Sequence, residues 1–86
     1  MDNYIKICEQ LTSTETTLYD SAVLIKTILL TNTTSVDVTA NITFDSAKIL
    51  IAVPAGEYII LNSPILCETI SAYGNGVTIH ITGYIE

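Results

Sequence analysis

Of the 86 residues, 32 are β-branched (14 Ile, 5 Val and 13 Thr), and no other feature narrows the possible folds as far. Two heavy groups on Cβ freeze χ1 against the preceding turn of a helix, yet they pack well on a pleated surface. The chain is therefore expected to be almost wholly β. Its length suits one domain, residues 1–86, and leaves no room for a second core. A hydrophobic fraction of 49% against a charged fraction of 14% speaks against disorder.

The alternation is clearest where Val36, Val38, Ala40, Ile42 and Phe44 interleave with Asp37, Thr39, Asn41, Thr43 and Asp45, the signature of a half-buried strand. It recurs at the end of the chain, with Val77, Ile79, Ile81 and Gly83 opposite Thr78, His80, Thr82 and Tyr84. Turn signals fall at Thr12 to Thr14, Asp20-Ser21, Thr31 to Ser35, Asp45-Ser46, Pro54-Ala55-Gly56, Asn62-Ser63-Pro64 and Gly74-Asn75-Gly76. This spacing predicts a small antiparallel β-sandwich, jelly-roll or immunoglobulin-like, of seven to eight strands. Pro54-Ala55-Gly56 and Gly74-Asn75-Gly76 carry residues for tight reversals, and two strands are expected to meet at the first. Ala22 to Leu30 and Ile49 to Val53 are apolar on both faces except for Lys26, Thr27 and Ala52. Such segments are either central strands or strands covered by something else. A helix over Ser21 to Leu30 is the competing reading, disfavoured by Val23, Ile25, Thr27 and Ile28.

Charge removes whole classes of function. Nine acidic residues face only Lys6, Lys26 and Lys48, with no Arg, for a net charge of −6; a phosphate backbone would be repelled and few counterions released. Nucleic acid and anionic membrane surfaces are not expected partners, and no apolar run reaches the roughly 20 residues of a membrane span. Met1-Asp2-Asn3 lacks the basic and apolar stretches of a secretory signal, so retention in a cytosol is expected, with release only by lysis. Cys8 and Cys67 fit neither a redox pair nor a paired-ligand zinc site; two small buried thiols are favoured over a bridge, which the sequence leaves open. Asn32-Thr33-Thr34 and Asn41-Ile42-Thr43 match the glycosylation acceptor pattern, and without a secretory signal they read as coincidences.

Candidate chemistry is sparse. His80 is the only imidazole and falls on the polar side of the last strand between Thr78 and Thr82, where it reads as an exposed or interface residue rather than a general base. Asp37 and Asp45 share a strand face, but i, i+2 neighbours lie about 6.6–7 Å apart, so the pair cannot chelate one ion. They read as a solvated outer face, and Glu9, Glu15, Glu57 and Glu68 as scattered solubility charges. Gly74-Asn75-Gly76 precedes a strand, not the helix that a phosphate loop requires. Tyr4, Tyr19, Tyr58, Tyr73 and Tyr84 make up five of the six aromatics; boundary packing is the favoured account for most, with sugar or protein contacts as the alternative. No catalytic, cofactor-binding or metal-ligating residue is assigned.

Five pieces follow one another in a suggestive order: Thr17-Leu18-Tyr19; Val23 to Thr33, which contains Leu30-Thr31-Asn32-Thr33; Val53-Pro54-Ala55-Gly56-Glu57; Pro64-Ile65-Leu66; and Val77 to Tyr84. In this order the chain, over roughly residues 15 to 86, resembles small β-sandwich structural proteins of tailed bacteriophages. Their pattern runs "TLY", "IIKSIxLTNT", "PAGE", a "PLVL" strand and a closing "VxVxISGxE". Leu66-Cys67-Glu68-Thr69-Ile70 departs from the glycine-containing turn usual before the closing strand. The resemblance implies a virion component without enzymatic activity, assembled in the host cytoplasm. With the small size and apolar surplus, it points to a capsid decoration protein that binds the major capsid protein or other virion proteins as a small homo-oligomer, a trimer being expected. A tail-fibre or baseplate module that recognises cell-surface carbohydrate through its tyrosines is the alternative. The interface expected from the sequence is Leu24, Ile28, Leu30, Tyr84 and Ile85.

Overall fold

The computed structural model describes residues 4–62 and 64–85, and among these it contains nine strands and no helix. They are β1 (Tyr4–Gln10), β2 (Thr16–Tyr19), β3 (Val23–Asn32), β4 (Val38–Phe44), β5 (Ala47–Val53), β6 (Tyr58–Leu61), β7 (Ile65–Cys67), β8 (Ile70–Tyr73) and β9 (Val77–Ile85). All pairings are antiparallel. One sheet, called A below, runs β1-β9-β3-β6, with β7 also on β3; sheet B runs β2-β8-β4-β5. The first strand thus pairs with the last and the second with the last but one, while β4 and β5 form the innermost hairpin. This nested order is that of a jelly roll, with β7 as a short ninth strand.

The two inner faces meet in a core built by alternation. Val23, Ile25, Ile28 and Leu30 of β3 and Val77, Ile79 and Ile81 of β9 lie against Ala40, Ile42 and Phe44 of β4 and Ile70 and Ala72 of β8. β3 is bonded on both edges, to β9 on one side and to β6 and β7 on the other, and its both-face apolarity arises because outward Leu24 and Leu29 add half-buried apolar side chains opposite the core residues. Its inward positions change from odd to even numbers because the register with β9 shifts between Ile25 and Thr27, leaving Lys26 as the extra residue of a bulge. Opposite the bulge, a Cβ at Gly83 would overlap the carbonyl oxygen of Leu24 and lie 3.0 Å from Ile25 Cα, so only glycine fits.

Several expectations need correction. Nine strands form rather than seven or eight, since Ile65–Cys67 bonds β3 separately from Tyr58–Leu61; Ser63 of the intervening turn lies outside the described residues. The alternating strand starts at Val38, and Val36 is 62% exposed in a loop. There the buried Asn32 amide donates to the Val36 carbonyl at 2.8 Å, which holds the loop away from the ladder. Ile49 to Val53 belongs to an edge strand, β5, and not to a central one. Pro54-Ala55-Gly56 forms its turn, with Glu57 N–H donating to Pro54 O at 3.0 Å and Gly56 at φ 73°. Yet β5 and β6 do not pair across it, because the turn carries the chain from sheet B to sheet A.

Candidate interaction face

The registers of sheet A set its outward side chains in four cross-strand rows. Leu66, Leu24, Tyr84 and Tyr4 form the first. Thr27, Thr82 and Lys6 form the second, and Thr27 Oγ1 donates to Asn62 Oδ1 at 3.3 Å. Ile60, Leu29, His80 and Cys8 form the third, and Tyr58, Thr31, Thr78 and Gln10 the fourth. Side chains directly opposite one another touch, so the first row is a continuous band of apolar and aromatic side chains, and the third is apolar at Ile60 and Leu29 before His80 interrupts it. Among the described residues, eight large hydrophobics are exposed, and Tyr4, Tyr58, Ile60, Leu66 and Tyr84 of this face account for five of them.

The outer face of sheet B is built differently. Thr17, Ser71, Thr43 and Lys48 form one row and Tyr73, Asn41 and Leu50 another. Ser71 Oγ donates to Glu15 Oε2 at 2.7 Å, and Lys48 Nζ lies 5.8 Å from the centre of the Tyr73 ring, a cation–π separation. Its largest exposed apolar side chain, Leu50, stands on the edge strand.

Electrostatics reinforce the asymmetry between face and rim. Among the described residues, every carboxylate except Glu9 lies in a loop or turn. Sheet A's outer face carries Lys6 and Lys26 and no carboxylate in its rows. Loop carboxylates also do structural work, which corrects the reading of Asp37 and Asp45 as a solvated strand face. Asp37 accepts from Ala55 N–H at 2.9 Å, and Asp45 accepts from Glu68 N–H at 2.8 Å and Thr69 N–H at 3.1 Å. Asp45 occupies the turn between β4 and β5 with φ 57°, a left-handed conformation that Asp tolerates better than most residues.

Two grooves indent this face around Tyr84. One, of about 320 Å³, is lined by Tyr4, Ile5, Lys26, Thr82, Gly83 and Tyr84. The other, of about 240 Å³, is lined by Ala22, Val23, Leu24, Leu66, Tyr84 and Ile85. Of the five interface residues expected from the sequence, Leu24, Tyr84 and Ile85 therefore come together here. Ile28 and Leu30 do not: they are 1% and 0% exposed in the core. The Lys26 bulge reverses the alternation beyond it, so both face inward while Leu24 faces out. Tyr4 and Leu66 were missed, although Tyr4 stands on the outward register of a strand legible from Tyr4-Ile5-Lys6-Ile7; placing them beside Leu24 and Tyr84 required the strand pairings.

The remaining candidates are dispersed. His80 is half-buried between Leu29 and Cys8 in the third row. Cys8 is exposed and Cys67 buried, and both are free. Burial, and then the nearby negative charge of Asp45, push the Cys67 thiol up from its ordinary pKa, against a backbone hydrogen bond at Thr69 that pulls it down. Among the described residues, no three His, Cys, Asp or Glu side chains gather where they could hold a metal ion. No protein-family model and no curated protein matches the chain.

Proposed function

We propose that this chain is a non-enzymatic structural protein of a tailed-bacteriophage virion, a capsid decoration protein that docks on the head shell through the outer face of sheet A. The observation that carries the reading is the gathering of Tyr4, Tyr58, Ile60, Leu66 and Tyr84 on that one face, while the outer rows of sheet B present Thr17, Thr43, Ser71, Asn41 and Lys48 and expose a large apolar side chain at Leu50 of the edge strand. Apolar and aromatic side chains in a rim of polar residues are what a desolvated protein contact requires. Lys6 and Lys26 let the face meet an acidic surface, while the loop carboxylates stay at the periphery. The resemblance of the ordered motifs to those of phage β-sandwich proteins supports this class of partner. Jelly rolls occur in viral capsid domains, a fold-level analogy that adds modest weight.

The test is co-sedimentation of the purified chain with phage heads that lack it, together with antibody labelling of intact particles under the electron microscope. Binding is expected for the native chain and for Thr43→Glu on sheet B, and its loss for Leu66→Glu and Tyr84→Glu. Labelling confined to tails, or binding indifferent to the sheet A changes, overturns the reading.

The groove flanked by Tyr4 and Tyr84, with Lys26 and Thr82 in its lining, supports the alternative of a tail module that recognises carbohydrate. Aromatic rings beside hydrogen-bonding side chains suit a sugar ring. A glycan array separates the two readings: binding abolished by Tyr4→Ala or Tyr84→Ala favours recognition, and absence of any glycan signal leaves the decoration reading ahead.

A further inference from the structure

Exposed sheet edges invite pairing and are normally guarded by charges, bulges, prolines or short length. Most edges of this sandwich are guarded. β1 carries Lys6 and the exposed Glu9, whose register partner Ile79 lies in the core, so a charge stands on the inward side. β2 has four residues and a register shift, and β6 and β7 are short and separate. β5 differs: its seven residues, Ala-Lys-Ile-Leu-Ile-Ala-Val, contain one charge, Lys48, and no proline. Ile49 faces inward beside Ile42 and is still 36% exposed, and outward-facing Leu50 is 66% exposed.

The register fixes which main-chain groups of β5 are free. A two-residue turn joins Phe44 to its partner Ala47, and the pair closing such a turn exchanges backbone hydrogen bonds. Alternation along the ladder then commits Ala47, Ile49, Ile51 and Val53 to β4. The N–H and C=O groups of Lys48, Leu50 and Ala52 point to the open edge.

We propose that this edge is occupied by β5 of a second copy, antiparallel to the first about a two-fold axis at Leu50. An isologous contact needs a surface complementary to itself, and β5 meets that condition in backbone and sequence. Its central residue, Leu50, is one whose N–H and C=O both face outward, so the two copies of Leu50 bond each other, and each Lys48 bonds the partner's Ala52. The side chains read almost alike in both directions from Leu50. Ile49 meets the partner's Ile51 on the inner side, covering the exposed inward isoleucine, and Leu50 meets its own copy on the outer side. Each Lys48 faces a methyl group, and the two ammonium groups are held about 13 Å apart by the strand rise. The product is one continuous eight-stranded sheet formed from two copies of sheet B. This dimer replaces the trimer expected from the sequence, and it uses no residue of the sheet A face on which the virion reading rests.

Sedimentation equilibrium of the full chain over a wide concentration range tests it, and a monomer–dimer equilibrium is expected. Leu50→Lys sets two cations face to face on the axis, and Ala52→Pro removes an edge-facing N–H without touching the β4 ladder. Each is expected to weaken the dimer by about tenfold or more, with the far-ultraviolet circular dichroism unchanged, whereas Leu66→Glu leaves the dimer intact. Should either variant fail to fold, Leu50→Cys in a Cys8→Ser background is decisive. The facing Cα atoms would stand about 5.5 Å apart, within disulfide range, so mild oxidation links the copies, and Tyr58→Cys in the same background does not. A native chain that stays monomeric, a trimer, a dimer indifferent to Leu50→Lys, or absence of the Leu50→Cys link overturns the proposal. Loss of head binding with the dimer intact would count against the virion reading alone.

Discussion

The side-chain amide of Asn32, fully buried, donates to the carbonyl oxygen of Val53 at 2.9 Å and so ties the end of β3 in one sheet to the end of β5 in the other. Its second N–H reaches Val36 O at 2.8 Å, and its oxygen accepts from Thr34 N–H at 3.0 Å and Thr34 Oγ1 at 2.6 Å. Every hydrogen-bonding position of the amide is used. The same burial closes Asn32 to any glycan in the folded chain.

Asn32→Ala is expected to cost about 2–4 kcal/mol, because the buried Val53 carbonyl and the part-buried groups of Thr34 and Val36 lose their partner at once. Urea unfolding checks this, and a loss below about 1 kcal/mol would show that water replaces the amide without penalty.

Gly83→Ala is expected to destabilise by about 2 kcal/mol or more, since the new methyl meets main-chain atoms of Leu24 and Ile25 that no rotamer change can clear. Gly56→Ala is the control: there a Cβ would have nothing within 4 Å, and the cost is the φ of 73° alone, about 1 kcal/mol. Thermal unfolding of both variants separates steric overlap from backbone strain.

Ile28→Ala and Leu30→Ala are each expected to lose about 2–5 kcal/mol as core cavities. Leu66→Ala, on a side chain 78% exposed, should change stability by less than about 0.5 kcal/mol. Denaturant midpoints decide the matter; equal losses at all three sites would contradict the bulge-set register that turns Ile28 and Leu30 inward.

The raised pKa of Cys67 gives stability a pH dependence of definite sign. Above about pH 8.5 the unfolded chain releases the thiol proton while the folded chain still holds it. The native state then binds more protons, and stability falls as pH rises. This contribution is intact below the unfolded pKa and is lost progressively up to the folded one. The native chain should lose more stability than Cys67→Ala between neutral and alkaline pH in urea titrations, and in the native fold a thiol reagent should modify Cys8 quickly and Cys67 only on unfolding. Parallel pH profiles for the two proteins would refute the effect.

Much of the architecture is local in origin and was therefore legible. β-Branched residues and period-2 alternation mark β4 and β9 wherever they end up in the fold, and Pro54-Ala55-Gly56 marks a reversal whatever it connects. What a reversal joins is not local: the same turn would serve a hairpin, and the pairing of β5 with β4 and of β6 with β3 shows it passing between sheets, which the bond from Asn32 to Val53, between residues 21 positions apart, ties together.

The all-β class, the alternation of β4 and β9 and the excess of apolar surface were thus determined by the sequence alone, because they follow from the rotamer preferences and polarity of single residues and near neighbours. Tertiary structure decided the rest: that Ile28 and Leu30 are core while Leu24 is surface, that Leu66 and Tyr4 stand in one row with Tyr84, and that Ile49 to Val53 ends at an open edge. The physical reason is that an outward and an inward face differ by one residue of register. Register in β3 is set by one inserted residue, Lys26, whose bulge fits because Gly83, 57 positions later, has no side chain to oppose it.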